Sequence, residues 1–237
     1  MTVHALVADP PRPGLALPAL VEAGALDAED AATLAGAMLR DAAVAATDSG
    51  GDLLVNHPTA DQLPAEHRGG LAPAEALRSL VGDAVDDSGE VRFEPQVGDD
   101  PVERVGNTLT HLLESEEAAS VALLDGRAPT LDRTALDSAA MKLRRHEAVV
   151  GPAPDGRVTY LGLTEPLDLD GLAYPFSLEA LVDRAVEAGH SVEFLPVHPR
   201  VERAADLATL EPLVAARRAA GRRVPPHTAA ALEAVAP

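Results

Sequence analysis

Short apolar, β-branched runs alternate with helix-period stretches almost from one end of this chain to the other, and that alternation leaves few architectures open. Strand patterns occur at Val3 to Ala8, Asp52 to Asn56, Val91 to Pro95, Val121 to Leu124, Ala148 to Val150, Val158 to Leu163 and Val192 to Leu195. Asp27 stands in N-cap position before Ala28 to Ala46, where Leu34, Met38, Ala42 and Ala45 recur at helical spacing with Leu39 beside them. Further helices are expected over Ala72 to Val85, Pro101 to Leu113, from Asp132, after a Ser177 cap, and over Ala204 to Ala219. His57 to Gly70, rich in Pro, Gly and polar residues, reads as a loop. Pro154, Asp155 and Gly156 separate two strand patterns and suit a tight turn.

The expected fold is therefore α/β: a mostly parallel central sheet with helices on both faces and one antiparallel element late in the chain. One domain over residues 1–237 is expected, with Pro225 to Pro237 as a short C-terminal helix or tail.

Charge narrows the partners. Acidic residues number 38 against 19 basic ones, a formal charge of −19, and Lys142 is the only lysine. The acids are spread along the whole chain, so the charge is expected on the surface, where self-repulsion is strongest at low salt. A halophile's cytoplasm fits this balance; the alternative is an acidic protein from an ordinary GC-rich genome, where alanine-heavy sequences also favour Arg over Lys. Such a surface repels phosphate backbones and anionic lipid, and no basic stripe with interleaved aromatics occurs, so neither nucleic acid nor membrane is an expected partner. Without cysteine there is no disulfide, thiolate metal site or Cys nucleophile. The opening MTVHALVADPPRPG lacks the charged and long apolar regions of a signal peptide, which points to the cytoplasm.

Several fragments share a further pattern. Val150 to Arg157 followed by Tyr160-Leu161-Gly162-Leu163 is similar to a GPAxDGGYxLxGL signature, with Arg157 in place of its second Gly. Pro11-Arg12-Pro13-Gly14 resembles the PxPG of an AKxPxPGxxKTRL loop, Gln96 with Arg104 a QxxGxLGxR segment, Pro129-Thr130-Leu131 the end of GSDSPTL, and Glu202 to Leu207 the second half of DVDTPEDL. In this order they resemble a family of glycosyltransferase-like proteins of unknown function, related to the phospholactate and molybdenum-cofactor guanylyltransferases.

The resemblance implies a GT-A-like nucleotide-diphospho-sugar transferase fold that binds a nucleotide or nucleotide sugar with Mg or Mn. It implies phosphate or nucleotide contacts from Arg12, Gly14, Arg127, Arg200 and Gly156, catalytic roles for Asp125 and Asp155, and metal ligation by Asp125 and Glu202. The chain also departs from the pattern. Asp9 replaces the loop's first Lys, Leu17, Pro18 and Ala19 its KTR, Arg127 the central metal-binding Asp, and Arg200 and Glu202 the late pair of Asp residues. Either Asp125 takes over the metal or Arg127 replaces it as a fixed cation.

Each of these residues also has a structural reading: Asp155-Gly156 is a favoured hairpin turn, and Arg127 and Arg200 can pair with nearby carboxylates. The eight histidines are scattered with no recognised metal spacing, and no P-loop, GxSxG elbow or HExxH motif occurs. Two functions stay open: a glycosyl- or nucleotidyl-transferase with a divergent site, and a non-catalytic descendant that binds a nucleotide or a partner protein. A guanylyltransferase for a deazaflavin-type cofactor precursor would need the missing basic loop still more.

Overall fold

The computed structural model describes residues 1–85 and 91–235. Its strands are β1 (Thr2–Val7), β2 (Asp52–His57), β3 (Val91–Pro95), β4 (Ser120–Asp125), β5 (Ala148–Ala153), β6 (Arg157–Leu163) and β7 (Val192–Phe194). They form one sheet in the order β3-β2-β1-β4-β6-β5-β7. All run parallel except β6, which is antiparallel to both β4 and β5. The register sets Val7 beside Asn56 on one side and Asp125 on the other, so three strands finish at one level.

The central strands are buried on both faces, which is why they read as apolar runs rather than alternating ones. Helices α2 (Ala28–Asp48), α3 (Pro73–Gly82) and α5 (Arg133–Lys142) cover one face, where Leu39, Leu77 and Leu136 pack on Leu6, Val55 and Leu124. Helices α4 (Pro101–Thr110) and α6 (Leu178–Glu187) cover the other, with Val105, Leu109 and Leu181 against Val3, Leu54 and Val121.

Helix α2 also has a second buried side. Its Leu34 and Met38 join Leu20 of α1 (Pro18–Glu22), Leu207 and Leu210 of α7 (Ala204–Ala219), and Leu232 of α8 (Pro226–Ala234). The alanines of α2 permit this double packing, and Asp27 caps it by accepting from Asp30 N at 2.9 Å. Asp41, buried in the middle of α2, accepts from His227 N at 3.1 Å, Thr228 N at 2.7 Å and Thr228 Oγ1 at 2.6 Å. One carboxylate thus satisfies two first-turn N–H groups of α8 and docks it.

Strand and helix positions agree with the sequence reading to within a few residues. The differences are local. The helix expected to reach Val85 ends at Gly82, and the one expected to reach Leu113 ends at Thr110 and continues as a π turn over His111–Ser115. The loop from His57 to Gly70 carries two 3-10 turns, and α1 was not expected. The expected C-terminal helix forms, while residues 236–237 lie outside the described residues. No described helix is long and apolar enough to cross a membrane.

Candidate functional site

The chain turns to one side of β1 to make β2 and β3 and then to the other to make β4, so the sheet divides between β1 and β4. In an open α/β sheet the crevice beyond the carboxyl ends of such strands is where ligands bind. Here a cleft of about 410 Å³ opens at that place. Its walls include Asp9, Pro10 and Pro11 after β1, Leu15 to Ala19, Asp125 to Arg127 after β4, Tyr174, Pro175 and Glu202.

Local sequence explains the walls. Three prolines stop the chain after β1 from continuing the sheet, and Gly14 turns it with φ of 81°. After β4, Gly126 lies so close to α2 that a Cβ there would strike Leu39 Cδ2. The backbone N of Val201 donates to Arg127 O at 2.8 Å, which ties the segment after β7 to the end of β4. That tie brings Arg200 and Glu202 to Asp125.

These four side chains close a ring of alternating charge. Arg127 donates from its backbone N and Nε to Asp125 Oδ1 at 2.9 and 3.1 Å, and from Nη1 to Glu202 Oε1 at 3.3 Å. Arg200 donates from Nε to Asp125 Oδ2 and from Nη1 to Glu202 Oε2. The Arg200 side chain is 0% exposed and its Nη2 has no partner, whereas Arg127 is 32% exposed and faces the cleft. Burial alone would push the Asp125 carboxyl up, but Arg127 and Arg200 reverse this and hold it at about 2. Burial and then the Asp125 charge push the Tyr174 hydroxyl up to about 12, so it remains a donor.

A second pair supports the ring. Arg157, at the start of β6, meets Asp206 in a fork with contacts of 2.8 and 2.5 Å and donates to Arg200 O at 3.2 Å. Asp206 also accepts from Glu202 N and Arg203 N at 3.0 and 2.9 Å, which caps α7. Arg157, Arg127 and Arg200, three positions where the chain departs from the motifs it resembles, thus meet in one cluster.

Of the residues singled out in the sequence, Asp125, Arg127, Arg200 and Glu202 come together. The others stand elsewhere. Arg12 donates to the carbonyls of His67, Gly69 (2.8 Å) and Leu71, so its guanidinium pins a neighbouring loop instead of lining the cleft. Gly14 does not line the cleft; a Cβ there would meet His67 Cε1 at 3.3 Å. Asp155 is 67% exposed in the β5–β6 turn, with φ of 61°, and pairs with Arg203 at 2.9 Å. Gly156 follows it with φ of 68°, a turn residue. Sequence reasoning missed Tyr174, which sits in no spacing that signals chemistry, and gave no role to Asp206 although it lies within the Glu202 to Leu207 fragment; for Arg157 the signal was its replacement of a glycine.

A divalent cation on Asp125 and Glu202 does not fit this arrangement. All four carboxylate oxygens already accept from guanidinium groups, and two fixed positive charges stand where the ion would bind. Among the described residues no group of three His, Asp or Glu side chains converges as a metal site.

Residues 67–174 match the family model described as an uncharacterized protein conserved in bacteria (DUF2064). No curated protein matches the chain. Among solved structures, one assigned as a nucleotide-diphospho-sugar transferase from Desulfovibrio desulfuricans G20 superposes with a TM-score of 0.78 at 20% identity, over 98% of this chain and 94% of that one. A cytidylyltransferase from Leptospira borgpetersenii gives 0.52 at 11% identity, covering 98% and 93%. The 4-diphosphocytidyl-2C-methyl-D-erythritol synthase of Anaerococcus prevotii gives 0.52 at 10%, covering 88% and 93%. The chain therefore has the nucleotide-diphospho-sugar transferase fold, and through residues 67–174 it resembles the DUF2064 family.

Proposed function

We propose that the chain is a transferase-like protein that takes a nucleotide-activated donor into the cleft between the ends of β1 and β4. The observation that carries this reading is the cleft itself: it lies at the switch point of the sheet and has a part-exposed, ion-paired Arg127 on its wall. Proteins of this fold named above are assigned as nucleotide-diphospho-sugar and cytidylyl transferases. In this reading Arg127 meets the donor's phosphates, Asp125 fixes the plane of its guanidinium, and Tyr174 adds a hydroxyl donor.

The second reading is a descendant that binds without turnover. It is favoured by the same ring, since every charged group at the end of β4 already has a partner and the loop after β1 brings Asp9 where a cation would help catalysis. Thermal unfolding against a panel of nucleoside triphosphates and nucleoside diphosphate sugars separates these cases, because a ligand of the folded state raises its stability. Molar potassium chloride is the appropriate medium, in keeping with the salt adaptation we propose from the charge of −19. A shift with one nucleotide sugar, lost in Arg127→Gln, is expected. Consumption of that donor in the presence of acceptors supports the transferase, binding without consumption supports the second reading, and no shift with any member of the panel overturns both.

A further inference from the structure

We propose that Arg127 takes the part of a divalent cation in this cleft, making it a metal-independent site for a phosphate-bearing ligand. This rests on the donor-binding reading above and adds how the charge is met. The argument is geometric. Asp125 and Glu202 are the carboxylates placed to ligate an ion, and each bridges the same two guanidiniums. An ion that bound both would have to expel Arg127 or sit against Arg200, which is sealed from solvent.

Arg127 is the ring cation with a face on the cleft. Its guanidinium carries five N–H groups. Nε–H and one hydrogen on each Nη are directed at Asp125 and Glu202, with the Nη2 contact at 3.4 Å. The second hydrogen of each Nη has no partner within the ring, and free guanidinium donors of that kind can hydrogen-bond phosphate oxygens. The carboxylates hold the guanidinium from two sides, so its position is set before the ligand arrives.

The test has a metal arm and a phosphate arm, both in molar potassium chloride. In the first, the electron paramagnetic resonance signal of free Mn²⁺ is titrated with wild-type protein, Asp125→Asn and Arg127→Asp. Wild type is expected to leave the signal at the Asp125→Asn level, whereas Arg127→Asp, with one cation removed and a third carboxylate added, takes up about one equivalent. Uptake of one equivalent by wild type that Asp125→Asn abolishes overturns the proposal, and this comparison holds whether or not Arg127→Asp folds. In the second, inorganic pyrophosphate and the nucleotide panel are bound in chelator and then in Mn²⁺. Equal binding in both, weakened at least tenfold in Arg127→Gln, is expected. Binding only with Mn²⁺ overturns this inference and leaves the donor reading standing; no binding in either condition overturns both.

Discussion

Replacing Arg200 with methionine tests the ring where it is most deeply buried. Methionine fills much of the same space, so the change removes a guanidinium that donates to Asp125 and Glu202 without opening a large cavity. The ring falls from neutral to one net negative charge, and Asp125, whose side chain is 15% exposed, keeps only Arg127. Breaking a buried pair from one side costs about 3 to 5 kcal/mol, and because Arg127 still faces both carboxylates we expect about 3 kcal/mol at neutral pH.

The cost should depend on pH. The Asp125 carboxyl is held at about 2 against an ordinary value of 3.8, so its contribution to wild-type stability is present above 3.8 and is lost as pH falls through about 2. In Arg200→Met the carboxyl takes up its proton at higher pH, which relieves the variant first and narrows its deficit, by up to about 2 kcal/mol at 1.36 kcal/mol per pKa unit. The assay is urea unfolding followed by far-ultraviolet circular dichroism, since the chain has no tryptophan to report by fluorescence. Asp125→Asn in the same background should recover part of the loss by non-additivity. A deficit below about 1 kcal/mol, or one that stays constant from pH 7 to pH 3, would refute the electrostatic account of the ring.

Two further perturbations address the frame around the cleft. Asp41→Ala leaves two first-turn N–H groups and the Thr228 hydroxyl without their acceptor, and Thr228 is 0% exposed, so a loss of about 2 to 4 kcal/mol is expected in the same urea assay. An unchanged midpoint would show that apolar contacts alone dock α8. Arg12→Ala releases the carbonyls of His67, Gly69 and Leu71, and limited proteolysis should then cut faster between residues 67 and 71; an unaltered cutting rate would mean that the segment is held by other contacts.

What could be read beforehand follows from what the residue pattern encodes. The strands of the sheet and the long helices announce themselves by apolar period, and Asp27, Ser177 and Asp132 cap the helices they precede. Helix α1 has five residues and starts after Leu17 in a left-handed conformation, too short for any period to show. Asp155-Gly156 carried a motif and turned out to be a turn, where a positive φ at both residues is sufficient reason for the pair. The ring was half legible. Its four members could be named, but Asp125 and Arg200 are 75 residues apart, and their meeting depends on the strand order and on the bond from Val201 to Arg127. Arg12 has the charge for phosphate but spends its donors on carbonyls, which charge type alone does not disclose.

The reversed direction of β6 has a consequence for how this edge of the sheet is furnished. Each parallel strand can deliver only its last residues to the carboxyl edge, as β4 does with Asp125. Because β6 runs the other way, it arrives there with its first residue, and Arg157 reaches Asp206 and the Arg200 carbonyl from a position that a parallel strand would fill with Leu163. The hairpin thus lets the beginning of one strand brace the chemistry assembled at the ends of its neighbours. Lengthening the β5–β6 turn would leave the cleft walls in place while moving the Asp155–Arg203 contact, which makes this hairpin tip a place where the fold can be altered with the ring intact.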